Sequence, residues 1–190
     1  IIGALLSKFG LPDTSPDFSL NGSLLYNTFT FISVVVLAPI FEELIFRGMI
    51  LQTLSKYNKM FAIVVTSLLF GLLHLNITQA IPAFFMSLIL CYMCLKTDSL
   101  LVTILAHAGN NFLALMSAYS NNIMITILVL SLVIYGLITV VLKSKEINEF
   151  IKEEKTNDNW YARFFKRIPN ILYLIFTILW IVISLFINMF

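Results

Sequence analysis

Between residues 24 and 142 this chain is a succession of apolar runs, parted only by short polar turns such as Asn76-Ile77-Thr78-Gln79 and Ser120-Asn121-Asn122. No water satisfies backbone groups inside hydrocarbon, so runs of this kind must fold as helices that bond within themselves. A mean hydropathy of +0.95, with 59% hydrophobic and 12% charged residues in 190, fits lipid rather than a soluble domain. The fold class is therefore all-α, a polytopic transmembrane bundle. Hydropathy places spans at 24–57, 60–75, 80–95, 100–119, 123–142 and 170–190, about six in all. Residues 1–190 read as one transmembrane domain. The chain opens on Ile1-Ile2-Gly3 rather than Met, so an upstream portion is expected to be missing. Gly10-Leu11-Pro12-Asp13 begins a loop before the first span.

The first span is interrupted by Phe41-Glu42-Glu43-Leu44-Ile45-Phe46-Arg47-Gly48. Each ionisable group at bilayer depth costs roughly 2.5–3.5 kcal/mol on insertion scales, so a cluster of them points to function. On a helix Glu43 and Arg47 share a face and can pair, whereas Glu42 points about 100° away. The spacing thus divides the acids: Glu43 is braced by Arg47, and Glu42 is turned toward other work. A buried ion-pair cluster that pins helix packing is the plainer alternative. The run exceeds a ~30 Å hydrocarbon core at ~1.5 Å per residue, and Pro39 is expected to bend it.

Both histidines fall inside apolar runs, away from the predicted turns. Phe70 and His74 stand four apart, with Gly71 thinning the helix so that a neighbour can approach. His107 and Asn111 are also four apart and can aim two hydrogen-bonding groups at one point; Asn110 lies too far round the helix for more than a side role. Cys91 and Cys94 form a C-x-x-C inside an apolar run, where core packing is the expected role and neither disulfide nor metal follows. Asn21-Gly22-Ser23 and Asn76-Ile77-Thr78 match the glycosylation tripeptide, a pattern too short to carry weight.

A carboxylate and an imidazole can together take a proton from water and direct the oxygen at a peptide carbonyl. Two further donors can hold the oxyanion, worth roughly 3–4 kcal/mol each in acyl transfer. Neither a serine elbow nor H-E-x-x-H is present. Two histidines with one or two glutamates would equally suit zinc, and residue types do not separate the two chemistries.

In order along successive spans, Glu42-Glu43 with Arg47, Phe70 with His74, and His107 with Asn111 resemble the three motifs of the CPBP family. These are the CAAX-processing and bacteriocin-processing intramembrane proteases, also called Abi proteins. The likeness covers about residues 24–120 and includes the Phe-Arg-Gly that closes the first motif. It implies a glutamate-type endopeptidase without metal or other cofactor, with a cavity opening to the cytoplasmic side. By the resemblance, residues like Glu42 and His74 activate water, those like His107 and Asn111 form the oxyanion hole, and those like Glu43, Arg47 and Phe70 brace the site.

Threading the spans alternately puts Arg47, Lys56, Lys59, Lys96 and the basic residues of 143–169 on one side, opposite Lys8. The positive-inside rule makes that side cytoplasmic. The 143–169 loop carries Ile147, Phe150 and Ile151 at helical spacing, then Trp160, Tyr161, Phe164 and Phe165 beside Arg163, Lys166 and Arg167. That is the pattern of a surface helix and an interfacial anchor. The partners expected are the bilayer, a membrane-borne peptide or protein substrate, and another membrane protein. A net charge of +2 gives no reason to expect nucleic acid.

The Ile-, Asn- and Lys-rich composition points to a low-GC bacterium. The expected substrate there is a bacteriocin or pheromone precursor, or the role is self-immunity. A non-catalytic scaffold keeping the same fold is the alternative. A proton-coupled transporter is disfavoured because no pair of spans is matched in Gly or Pro breaks.

Overall fold

Small polar side chains at the turns start the helices. Ser23 Oγ accepts from Tyr26 N, Asn58 Oδ1 from Phe61 N, Asn76 Oδ1 from Gln79 N and Asn159 Oδ1 from Ala162 N. Each satisfies a backbone donor that a helix head leaves orphaned. The computed structural model describes residues 22–119, 141–153 and 159–187, with single positions at 8, 20, 124, 127, 131 and 138. Described residues are helical, with no strand among them.

The first run contains α1 (Leu24–Phe31), a π-helical segment Ile32–Leu37, α2 (Ala38–Glu43), a second π-helical segment Leu44–Leu51 and α3 (Gln52–Ser55). Then follow α4 (Lys59–Leu73), α5 (Ile77–Thr97), α6 (Leu100–Tyr119), α7 (Ser144–Glu153), α8 (Trp160–Phe165) and α9 (Ile168–Ile187). Three helical stretches among the described residues are long and apolar enough to cross a bilayer: Leu24–Ser55, Ile77–Thr97 and Leu100–Ser117. Lys59–Leu73 and Pro169–Ser184 are apolar but shorter, and the span expected at 123–142 lies almost wholly outside the described residues.

Pro39, expected to bend the run, follows the first π-helical segment and is buried in the first turn of α2, where the hydrogen-bond register changes. One expectation changes. His74 is not within a span. It is the C-cap of α4, where the chain turns through Leu75 at φ 56° before Asn76 starts α5.

The chain divides into two compact units. One holds Phe46–Asp98 and the described residues from 159 onward. Phe46, Phe70 and Ala83 form its core, with Ile50, Leu69 and Met86 packed on it. Gly71 sets the contact of α4 with α5: a Cβ there would lie 2.8 Å from Ala80 O and 3.1 Å from Phe84 Cβ. Phe61 meets Phe164 at 5.9 Å, and further along Tyr173 OH donates to Leu69 O at 3.4 Å, so α9 runs parallel to α4. An apolar groove of about 280 Å³ lies among α4, α5 and α9, lined by Leu68, Gly71, Leu72, Ala80, Phe84 and Ile181 among others. Leu172, Phe176 and Leu179 of α9 are more than half exposed, as expected of a face toward lipid.

The other unit holds Phe18–Ile45 and Ser99–Lys155. Thr103, His107 and Leu115 are buried on one side of α6, and that helix packs against Ile32–Leu37 and α2. Phe31 and Phe112 close the contact edge to face at 6.2 Å.

Candidate active site

The expected site residues fall into two clusters, one in each unit. Glu42, Glu43, His107 and Asn111 gather where α2 and the π-helical segment before it pack on α6. His107 Nδ1 donates to Glu43 Oε1 at 2.8 Å; the oxygen of a carboxylate accepts, so this ring nitrogen carries its proton. The other ring nitrogen, Nε2, faces Glu42 Oε2 at 3.8 Å, an electrostatic contact too long for a direct hydrogen bond. The two acids, expected to diverge, thus close on one imidazole. They differ in access: the Glu43 side chain is fully buried, while that of Glu42 is 27% exposed.

Asn111 is placed by a backbone defect. Ala38 N reaches back five residues to Ser33 O, the π-helical register. The same register would pair residue 39 with Val34 O, but proline has no N–H to give. Val34 O accepts instead from Asn111 Nδ2 at 3.0 Å. Asn110, exposed, donates weakly to Asn111 Oδ1 at 3.4 Å, in keeping with a side role.

The second cluster is built on Arg47, fully buried. Its guanidinium donates to Ser87 Oγ at 2.8 Å and lies 4.6 Å over the Phe70 ring. A desolvated contact of this kind contributes up to about 2 kcal/mol. Phe70 also packs edge-on against Phe46 at 5.0 Å and His74 at 5.3 Å. His74 Nδ1 bonds Phe70 O at 3.0 Å. A carbonyl only accepts, so Nδ1 is the protonated nitrogen, and in the neutral ring Nε2 is left with the lone pair a base needs. Phe70 therefore fixes both the plane and the tautomer of His74.

Sequence reasoning missed Ser87 and the Val34 carbonyl. Ser87 is a fully buried hydroxyl on α5, in loose contact with Cys91 Sγ at 3.9 Å, and Ser67 Oγ reaches the same sulfur at 3.8 Å. Both cysteines are buried, in line with core packing. A serine in an apolar run reads as a small packing residue, so nothing set Ser87 apart. The Val34 carbonyl had a signal: a proline inside a helix strands a carbonyl one turn back, and an asparagine in another apolar run can supply a donor.

Helices fit to cross a bilayer, with a carboxylate, an imidazole and a guanidinium buried in them, define an integral membrane protein with polar groups in its interior. Residues 24–113 match the family model described as type II CAAX prenyl endopeptidase, Rce1-like. Over this segment the chain is similar to that family, the CPBP proteins its motifs resemble. Proteins of this family are intramembrane endopeptidases, and the likeness supports a bilayer location and a membrane-associated substrate. No curated protein and no solved structure matches the chain.

Proposed function

We propose that this protein hydrolyses peptide bonds of membrane-associated peptides or proteins by a metal-free mechanism in which Glu42 activates water. The observation that carries the reading is the closure of two carboxylates on one imidazole, with Glu43 holding Nδ1–H at 2.8 Å and the more accessible Glu42 facing Nε2 at 3.8 Å. A single buried acid would serve to pin the ring, and the presence of a second, partly exposed acid supports a chemical role.

Glu42 takes a proton from water as the water oxygen bonds to the carbonyl carbon. By the family resemblance a residue like His74 shares in activating water, and its Nε2 carries the lone pair that such a role needs. In its protonated form His107 donates from Nε2 to the developing oxyanion, and the second N–H of the Asn111 amide donates beside it. Collapse of the tetrahedral intermediate breaks the C–N bond, and the proton held by Glu42 passes to the leaving nitrogen. No covalent intermediate forms. Glu43, Arg47 and Phe70 orient these groups. The apolar groove, starting one turn from His74 on the same helix, suits an apolar segment of the substrate. A cavity open to the cytoplasm would admit a bacteriocin or pheromone precursor, or the bacteriocin met in self-immunity.

The test uses the purified protein in lipid nanodiscs with a panel of membrane peptides, comparing wild type with Glu42→Gln and His107→Ala. Either change is expected to abolish cleavage, and a chelator to leave the wild type unaffected. Loss in chelator restored by zinc would make the enzyme a metalloprotease. Equal activity of wild type and Glu42→Gln in a cellular assay would make it a scaffold.

A further inference from the structure

Lys56 and Lys59 flank the turn between α3 and α4, while Arg163, Lys166 and Arg167 lie on α8 and the turn that follows. All five are exposed. Far apart in the chain, the two segments are joined by aromatic rings: Tyr57 packs on Trp160 at 5.0 Å, and Phe61 on Tyr161 at 5.1 Å and Phe164 at 5.9 Å. The Arg163 guanidinium lies 4.9 Å over the Trp160 ring. Because α9 runs parallel to α4 and α5 returns between turns, the starts of α4 and α9 and the end of α5, with Lys96, share one end of the unit. The positive-inside rule explains the sign of these charges, but not their convergence from two segments onto one ring-lined surface.

We infer that this surface is a docking site for the phosphodiester headgroup of an anionic phospholipid. Charge complementarity supplies the attraction, and Arg163 and Arg167 offer the forked donors that suit phosphate oxygens. Tyrosine and tryptophan are the residues that settle at headgroup depth. Directly beyond the patch, Leu172 and Ile175 of α9 are about half exposed, so an acyl chain has an apolar face to follow from the same point. A soluble polyanion would use the charges and leave that face bare. The occupant is thus lipid, and the surface holds this end of the unit at the membrane interface.

The test measures binding of phosphatidylglycerol and phosphatidylcholine to the full chain in detergent by native mass spectrometry, with thermal unfolding alongside. Wild type is expected to retain phosphatidylglycerol and to gain thermal stability from it, and to do neither with phosphatidylcholine. The triple variant Arg163→Gln, Lys166→Gln, Arg167→Gln should bind roughly 10- to 100-fold more weakly, at several-fold per lost cation. Lys56→Gln with Lys59→Gln should weaken the same binding, because both segments form one surface. Lys145→Gln with Lys152→Gln, exposed cations of α7, should leave it unchanged. The inference is overturned if the triple variant binds like wild type, if the α7 pair weakens binding equally, or if glycerol phosphate competes as well as the intact lipid. Unfolding temperatures in phosphatidylcholine that match wild type show that each variant is folded.

Discussion

A buried carboxylate beside a histidine fixes which nitrogen carries the proton, and Glu43 does this for His107 at 2.8 Å. Glu43→Gln keeps the shape but removes the negative charge that faces the protonated ring from which Nε2 donates to the oxyanion. The expected result is a fall in kcat of about 100-fold or more with KM little changed, read from steady-state cleavage of a membrane peptide. Asn111 does something separate, since its amide satisfies the carbonyl that Pro39 leaves stranded. Asn111→Ala should therefore cost about 0.5–2 kcal/mol of stability in the Pro39 background. In Pro39→Ala, where Val34 O regains a backbone donor, the same change should cost much less. A thermodynamic cycle in detergent checks this, and strict additivity of the two changes would refute the link between proline and asparagine.

At the scale of the elements, close approach depends on what is missing from a side chain. Gly71 allows α4 to lie against the backbone of α5 at Ala80, and a methyl group at 2.8 Å from that carbonyl oxygen has no flexible neighbour to displace. Gly71→Ala should destabilise the protein by about 1–3 kcal/mol, seen as a lower unfolding temperature, and should disturb the adjoining groove. The same approach brings Ser87 of α5 to Arg47, because α4 and α5 together carry Phe70 and the serine that hold the guanidinium. If Gly71→Ala unfolds at the wild-type temperature, then α4 and α5 are not held as tightly as this contact requires.

Across the whole chain, what was legible in the sequence is what lipid makes conspicuous. Glutamates, histidines and asparagine in apolar runs cannot be hidden by composition, so Glu42, Glu43, His74, His107 and Asn111 stood out, as did the helical class. The π-helical register at Ile32–Leu37 did not, because hydrophobic periodicity does not distinguish a reach of four residues from one of five. Nor did the turn at His74, since a left-handed Leu75 carries no sign in an apolar pattern. The side of the membrane each turn occupies is legible only through charge, which makes it the sharpest remaining test. If the basic end of α4, α5 and α9 is cytoplasmic, Lys96→Cys and Lys166→Cys should react with an impermeant maleimide only in inverted vesicles. Gln79→Cys, in the first turn of α5 at the other end of α4 and α5, should react only in intact cells. The native Cys91 and Cys94 are buried and give little background. Labelling of Gln79→Cys and Lys96→Cys from the same side would mean that α5 does not cross, and with it the threading built on the positive-inside rule would fall.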